Sequence, residues 1–166
     1  MTDSEADAGA GGAGAPPPIN EANTVRPGLT RVYERAEIRV EWYASRCIHS
    51  AACIRALPQV FDARRRPWID VTAADADAIA AAVVKCPTGA LRYQRLDGGP
   101  NEVADPEVRI TPLRNGPNFV RGACELTDAD GVTRNETRVA LCRCGQSKHM
   151  PFCDNTHRVI GFRSNP

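Results

Sequence analysis

Hydrophobic and polar positions first alternate regularly in "EIRVEWY", residues 37–43. Ile38, Val40 and Trp42 occupy every second position there, and charged residues, Glu41 among them, lie between. A period of two residues is typical of a strand with one face in the core and one in solvent. The segment therefore predicts a half-buried strand with its acidic residues on the solvent side.

A helical pattern follows in "AADADAIAAAVVK", residues 73–85. Thr72 is predicted to cap its start, with Asp75 three residues later, and acids in the first turn favour the same assignment. Pro87 restricts the preceding residue, Cys86, to extended geometry. The helix is therefore expected to end at or just before Cys86.

The second half of the chain is rich in strand patterns. The first starts at Val108 and Ile110, the second is "FVRGACEL" at 119–126, and the turn "DADG" at 128–131 leads to a third that ends in "RVALC" at 138–142. In the second pattern, four residues are predicted to share a face: Val120, Gly122, Cys124 and Leu126.

These patterns predict an α+β chain of two small domains. Residues 1–30 begin with an Ala/Gly/Pro-rich stretch and are predicted to form a disordered tail. Residues 31–95 form the first domain, and residues 96–107, which include Gly-Gly-Pro, a linker or long loop. Residues 108–166 form a second, β-rich domain.

Composition narrows the class of protein. The 166 residues are 42% hydrophobic with a formal net charge of +1, which gives no indication of a nucleic-acid or membrane partner. Seven cysteines are an odd number, and the sequence has neither a secretory signal nor a long apolar run. We therefore predict a soluble cytoplasmic protein whose cysteines bind metal rather than pair.

The largest group of candidate metal ligands lies in "CRCGQSKHMPFCDNTH", residues 142–157. Cys142, Cys144, Cys153 and His157 offer three thiolates and one imidazole, which suit zinc or an iron–sulfur cluster. Structural zinc sites usually use a C-x(2–4)-C knuckle, whereas a single residue separates the first two cysteines here. Spacing alone leaves both metals open.

This stretch resembles the signature of CDGSH iron–sulfur proteins, the mitoNEET-like family: C-x-C-x2-S/T-x3-P-x-C-D-G-S/T/A-H. Eight specified positions agree: Cys142, Cys144, Ser147, Pro151, Cys153, Asp154, Thr156 and His157. Asn155 replaces the family's Gly, and Asn is the other residue that best tolerates left-handed backbone. The resemblance implies a 2Fe-2S cluster, with Cys142 and Cys144 on one iron and Cys153 and His157 on the outer iron.

A second ligand set comprises Cys47, Cys53 and Cys86, in "CIHSAAC" and "CPTGAL". The pattern C-x5-C with a distant C-P resembles single-cluster ferredoxins of the 3Fe-4S type and the divergent monocluster ferredoxins, and implies a ferredoxin-like domain. Three cysteine ligands imply a 3Fe-4S cluster. The alternative is a 4Fe-4S cluster with Ser50, His49 or solvent at the fourth iron.

Other notable residues have simpler explanations. Cys124 is predicted to be structural, because it lies on the apolar face of a strand. Trp42 and Trp68 are predicted to pack the core of the first domain, and His149 to be a loop residue outside the ligand set. "RRR" at 64–66 is predicted to be a solvated turn.

The sequence indicates one kind of chemistry, one-electron transfer by metal clusters. It contains no catalytic constellation and no nucleotide-binding fingerprint, so we predict an electron-transfer protein, not an enzyme, that works between a reductase and an acceptor. Cluster storage or transfer, or redox and pH sensing through a labile His157 ligand, is the alternative, and a structural zinc module is a third. The mitoNEET-like resemblance also implies a possible homodimer through the second domain.

Overall fold

The computed structural model describes Gly28 and residues 30–164. The predicted tail, residues 1–30, lies outside these described residues except for Gly28 and Thr30. None of the helices in the described part of the chain is long and apolar enough to cross a membrane.

The first sheet is antiparallel and has three strands in the order β1 (Arg31–Glu34), β2 (Ile38–Trp42) and β3 (Leu91–Arg95). The predicted strand is confirmed as β2, and its Ile38 and Val40 are fully buried. The predicted exposure of Glu41 is wrong. Its carboxylate is buried and accepts a hydrogen bond from the Tyr43 hydroxyl at 2.8 Å, which offsets the loss of hydration.

Two helices complete the first domain: α1 (Ala52–Ala56) and α2 (Ala76–Val83). Helix α2 ends before Cys86, as predicted. Its cap is Asp75, whose carboxylate accepts from the Ala78 N–H at 2.7 Å, so the prediction that Thr72 caps it is wrong. Thr72 is instead bound in a turn, where its hydroxyl and N–H both donate to Asp70.

The cap assignment predicts a difference between two substitutions. Asp75→Ala removes the acceptor of an N-terminal N–H of α2 and is expected to lower the free energy of unfolding by about 1 kcal/mol. Thr72→Ala removes only an exposed hydroxyl and is expected to change it by less than about 0.5 kcal/mol. Chemical denaturation of both variants measures the difference, and an equal loss would contradict the assignment.

The core of the first domain lies between the sheet and α2. Its largest apolar side chains are at most 2% exposed: Ile38, Val40, Val60, Phe61, Ile69, Ile79, Val83 and Leu91. Cys86 belongs to this core, and Cys47 and Cys53 pack against it. The three predicted ligands therefore lie at the edge of one packed unit.

The arginine turn at 64–66 is only partly free in solvent. Arg64 is exposed beside Asp62, whereas the Arg65 guanidinium donates to the carbonyl oxygens of Gln59 and Val60 at 3.1 and 2.7 Å. Arg65 thus stabilises the turn that returns the chain to Trp68.

The second sheet is also antiparallel, in the order β4 (Arg109–Pro112), β5 (Asn118–Thr127) and β6 (Thr133–Leu141). The shared face predicted for β5 is wrong beyond Gly122, because the ladder between β5 and β6 shifts register between Arg121 and Cys124. Val120 pairs with Val139, whereas Cys124 and Leu126 pair with Glu136 and Arg134 on the other face of β6. Gly122 has φ +122°, and a Cβ there would lie 2.4 Å from the Glu107 carbonyl oxygen. The chain before β4 therefore approaches β5 closely at this irregularity in the ladder.

The predicted linker, residues 96–107, is bound along its length. The Asn101 side-chain oxygen accepts from the backbone N–H of Arg95 at 2.7 Å. The Glu102 carboxylate pairs with Arg138 of β6 at 2.6 Å. Burial alone would raise the pKa of Glu102, but this ion pair outweighs burial, so the pKa is lowered. The segment is thus anchored to both sheets.

A buried ion cluster joins the two sheets. Arg46 donates to both oxygens of Glu136, at 3.1 and 2.8 Å, and Arg92 of β3 donates to the same carboxylate at 2.5 Å. The Arg46 guanidinium also stacks over the Phe152 ring at 4.4 Å. Because the side chains of Arg46 and Glu136 are at most 7% exposed, these contacts are shielded from solvent.

Candidate metal centres

The first candidate centre is a cavity that all three N-terminal cysteines line. Cys47 follows a 3-10 turn at Ala44–Arg46, Cys53 lies in α1, and Cys86 follows α2. The cavity has about 310 Å³ of empty space, part of it open to solvent. Residues far apart in sequence therefore offer three soft sulfur donors to one space.

Ser50 and His49, the two predicted candidates for a fourth ligand, lie differently. Ser50 lines the cavity, whereas the His49 side chain is exposed. His49 has φ +52°, and its backbone N–H donates to the Cys47 sulfur. The loop thus brings Ser50 to the cavity and the His49 N–H to the Cys47 sulfur.

The thiols of this cavity are close enough to affect one another. Burial raises the pKa of Cys53 to about 11, and the neighbouring Cys86 and Cys47 add to the effect. The pKa of Cys47 is also raised, mainly by burial. Without metal the site therefore favours neutral thiols, and a bound metal has to replace their protons.

Two indole side chains and Thr88 line the cavity wall. Trp42 and Trp68 pack against the core, as predicted, in an edge-to-face pair with centroids 5.2 Å apart. Both Nε1 atoms are buried, and in the described part of the chain neither has a hydrogen-bond partner. The Thr88 hydroxyl lies 3.5 Å from the Cys86 sulfur.

These donors fit an iron–sulfur cluster. A buried N–H without a partner is costly, and a cluster offers sulfur acceptors. The sequence did not indicate that the indoles and Thr88 lie at this cavity. The only signal in the sequence was that Thr88 lies two residues after Cys86.

The second candidate centre has its four predicted ligands in two pairs. The Cys142 and Cys144 sulfurs are 3.7 Å apart, and the Cys153 sulfur is 3.4 Å from Nδ1 of His157. Backbone hydrogen bonds hold the two pairs together. The Cys142 N–H donates to the Pro151 carbonyl oxygen and the Cys153 N–H to the Ala140 carbonyl oxygen, both at 2.8 Å. Two ligands per pair suit a centre of two irons.

Backbone groups surround the first of these pairs. Burial alone would raise the pKa of Cys142, but the N–H groups of Ser147, Gly145 and Gln146, with the Cys144 thiol, outweigh it, so the pKa of Cys142 is lowered. These donors stabilise a thiolate, the form that binds metal. Among the described residues, no three His, Cys, Asp or Glu side chains form a group that could hold a single ion.

Asp154 organises the loop between the pairs. Its carboxylate accepts from the N–H groups of Lys148 and Thr156, both at 2.9 Å. Burial would raise its pKa, but these bonds hold it at about 2. Ser147 donates to the Phe152 carbonyl oxygen at 2.6 Å, and the His149 side chain is exposed.

Asn155, the departure from the CDGSH pattern, has left-handed backbone with φ +74°. Asn155 therefore adopts the conformation that the glycine of the pattern favours, as predicted. Its side chain does something glycine cannot: Nδ2 donates to the Ile48 carbonyl oxygen at 2.6 Å, next to Cys47. A hydrogen bond thus joins the loop that carries Cys153 and His157 to the loop that carries Cys47.

Comparisons with known proteins match both halves of the chain. Residues 33–96 match the family model described as "Divergent 4Fe-4S mono-cluster". The chain is also 33% identical over 67 residues to "Uncharacterized protein YjdI" of Escherichia coli K12, a match that covers 40% of this chain and 88% of the relative. The chain belongs to the divergent 4Fe-4S mono-cluster family. The YjdI of E. coli O157:H7 matches equally.

The mono-cluster domain is followed by a second family match. Residues 115–158 match the model described as "Iron-binding zinc finger CDGSH type". Both predicted resemblances are therefore confirmed, in the predicted order along the chain. The chain is a mono-cluster family member with a CDGSH domain after it, and its domains are of the iron–sulfur-binding type.

Proposed function

We propose that this chain is an electron-transfer protein with one iron–sulfur cluster in each domain. The observation that carries the proposal is the arrangement of two soft-ligand sites in one chain, bonded to each other by Asn155 and Ile48. Sites on one rigid chain exchange electrons at a rate that does not depend on protein concentration.

In the first site, Cys47, Cys53 and Cys86 hold the cluster, and the two indoles exclude water and donate N–H groups. In the second, Cys142 and Cys144 hold one iron, and Cys153 and His157 the other. A cluster held in this way supplies reversible one-electron storage. The chain supplies the ligands, the N–H donors and a largely apolar wall.

The type of cluster in the first site is part of the proposal. Three thiolates alone suit 3Fe-4S, whereas the family description and the position of Ser50 at the cavity favour 4Fe-4S. Ser50 supplies a hydroxyl, a weaker ligand for soft iron than a thiolate. Counting irons separates the two forms.

We propose that reduction and oxidation of substrates take place on partner proteins. The reductase and the acceptor are one-electron redox proteins, and this chain is not an enzyme itself. The loop around Cys144 is exposed at Lys148, His149 and Met150, which offers a surface close to the second site.

The same exposure favours a second candidate function, storage or transfer of a 2Fe-2S cluster from the second site. Its test is incubation of the loaded chain with an apo-protein that accepts 2Fe-2S clusters. Transfer without electron supply would favour this function, and redox cycling with full retention of iron would contradict it.

The electron-transfer proposal is tested by anaerobic purification, followed by iron, zinc and sulfide analysis and EPR before and after dithionite. About five irons per chain, with a signal in the oxidised protein, indicate 3Fe-4S plus 2Fe-2S, and about six with a silent oxidised state indicate 4Fe-4S plus 2Fe-2S. Reversible reduction and delivery of electrons to a protein acceptor support the proposal. Stoichiometric zinc with little iron would overturn it.

A further inference from the structure

We propose that the Asn155–Ile48 contact is an electron bridge, through which the two sites exchange electrons directly within one chain. This inference rests on the proposed function and adds the route. Asn155 lies between two ligands of the second site, Cys153 and His157, and Ile48 is bonded to Cys47 of the first. The bridge thus needs only one hydrogen bond.

The hydrogen bond is short and part-buried. The Asn155 amide donates to the Ile48 carbonyl oxygen at 2.6 Å, across 107 positions of sequence. From Cys47 to Cys153 the route is otherwise covalent. Electron tunnelling weakens steeply across empty space and much less along bonds and hydrogen bonds, so this contact is a favourable place to cross between domains.

Side-chain packing closes the gap around the bridge. The Ile48 side chain is buried in one apolar cluster with Ala140 and Cys153, and Phe119 packs against that cluster. A ligand of the second site is therefore in the same packed cluster as a neighbour of a first-site ligand. Close packing leaves no water layer between the domains at this point.

A second set of hydrogen bonds runs beside the first. Arg138 of β6 donates to the Cys86 carbonyl oxygen at 2.6 Å, and Ala140, two residues on, accepts from the Cys153 N–H at 2.8 Å. Another ligand of the first site thus connects to the second site. This connection has two hydrogen bonds and is longer than the route through Asn155.

The surrounding contacts hold the bridge at fixed length. A Cβ on Gly89 would lie 2.6 Å from the Arg138 carbonyl oxygen, so the loop after Cys86 touches β6. The buried Arg46–Glu136 pair lies beside these contacts. Domain separation therefore requires that several buried bonds break together.

The internal step moves one electron and no atoms. A one-electron protein reductant reduces one site, that site is reoxidised when the electron passes to the other, and no bond is formed or broken. Protons are not required at Asn155 or Ile48, because neither group titrates. The direction of flow depends on the potentials of the two sites.

Asn155→Gly tests the bridge without disturbing the loop. Glycine adopts the left-handed backbone at φ +74° and is the residue of the CDGSH pattern, so we expect both clusters to remain. The matched control is Asn115→Gly, which also has positive φ, +54°, but whose side chain binds Ser164. Both variants are used as full, iron-loaded chains.

The measurement is the rate at which a photochemically injected electron equilibrates between the sites, followed by absorbance and freeze-quench EPR. We expect Asn155→Gly to slow this rate severalfold and to weaken the magnetic interaction between the two reduced sites. Iron content and the potential of each site are expected to change little. Asn115→Gly is expected to match the unmodified chain.

An unchanged rate in Asn155→Gly would overturn the bridge while leaving the proposed function intact, because the chain would still accept and deliver electrons. Failure of the unmodified chain to accept electrons would overturn the proposed function itself. If Asn155→Gly loses iron, Asn155→Asp serves instead, since it keeps the size but lacks the donor. A normal rate in that variant would equally overturn the bridge.

Discussion

Glu136→Gln is expected to lower the free energy of unfolding by about 3 kcal/mol, because it leaves the buried guanidinium of Arg46 without its counter-charge. Arg92 loses the same partner. Burial lowers the pKa of Arg46, although Glu136 opposes this effect, which indicates how poorly solvated the cation is. The measurement is urea denaturation of the iron-loaded chain under anaerobic conditions, followed by circular dichroism.

The matched control is Asp105→Asn, which removes the counter-charge of Arg121 in an exposed pair. Both side chains of that pair are about half exposed, so water screens the interaction, and a loss below about 1 kcal/mol is expected. Equal losses in the two variants would contradict the view that the buried ion cluster holds the sheets together.

Cys153→Ser is expected to remove about two irons per chain, those of the second site, while the first site keeps its own. A hydroxyl replaces a thiolate, and soft iron binds it less well. Cys153 also pairs with His157 at 3.4 Å, so the loss of one sulfur leaves a single imidazole for that iron. Iron and sulfide analysis with EPR measures the result site by site.

Two further cysteine variants make this experiment selective. Cys86→Ser is expected to empty the first site and spare the second, since Cys86 lines the first cavity. Cys124→Ser is the control: Cys124 lies in β5 opposite Glu136, and its substitution is expected to leave the iron content unchanged. Loss of iron from Cys124→Ser, or of both clusters from Cys153→Ser, would contradict the assignment of ligands.

Local patterns predicted the elements well where neighbours in sequence decide them. The alternation around Val40 predicted β2, and Pro87 predicted the end of α2 before Cys86, because both effects act within a few residues. The predicted cap of α2 was wrong because the sequence offers two residues that can cap a helix, Thr72 and Asp75, three positions apart. Asp70 binds Thr72 in a turn, and that leaves Asp75 to cap the helix.

Burial of polar groups was not predictable in the same way. Glu41 lies at a position that alternation assigns to solvent, yet it is buried beside Tyr43. Nothing in the sequence indicated that Glu136 is buried, because its partner Arg46 is 90 positions away. A polar residue enters the core only when distant partners satisfy it, and one sequence does not display those partners.

The sequence by itself was enough to predict the ligand sets, since metal binding needs particular donor atoms at short spacing, and cysteine and histidine can be read directly in "CRCGQSKHMPFCDNTH" and "CIHSAAC". Only the tertiary structure decided what surrounds them. The Trp42–Trp68 ring pair at the first cavity, the ion cluster at Glu136 and the hydrogen bond from Asn155 to Ile48 all join residues that chain folding brings together. Their contacts depend on the packing of two sheets, which no local pattern encodes.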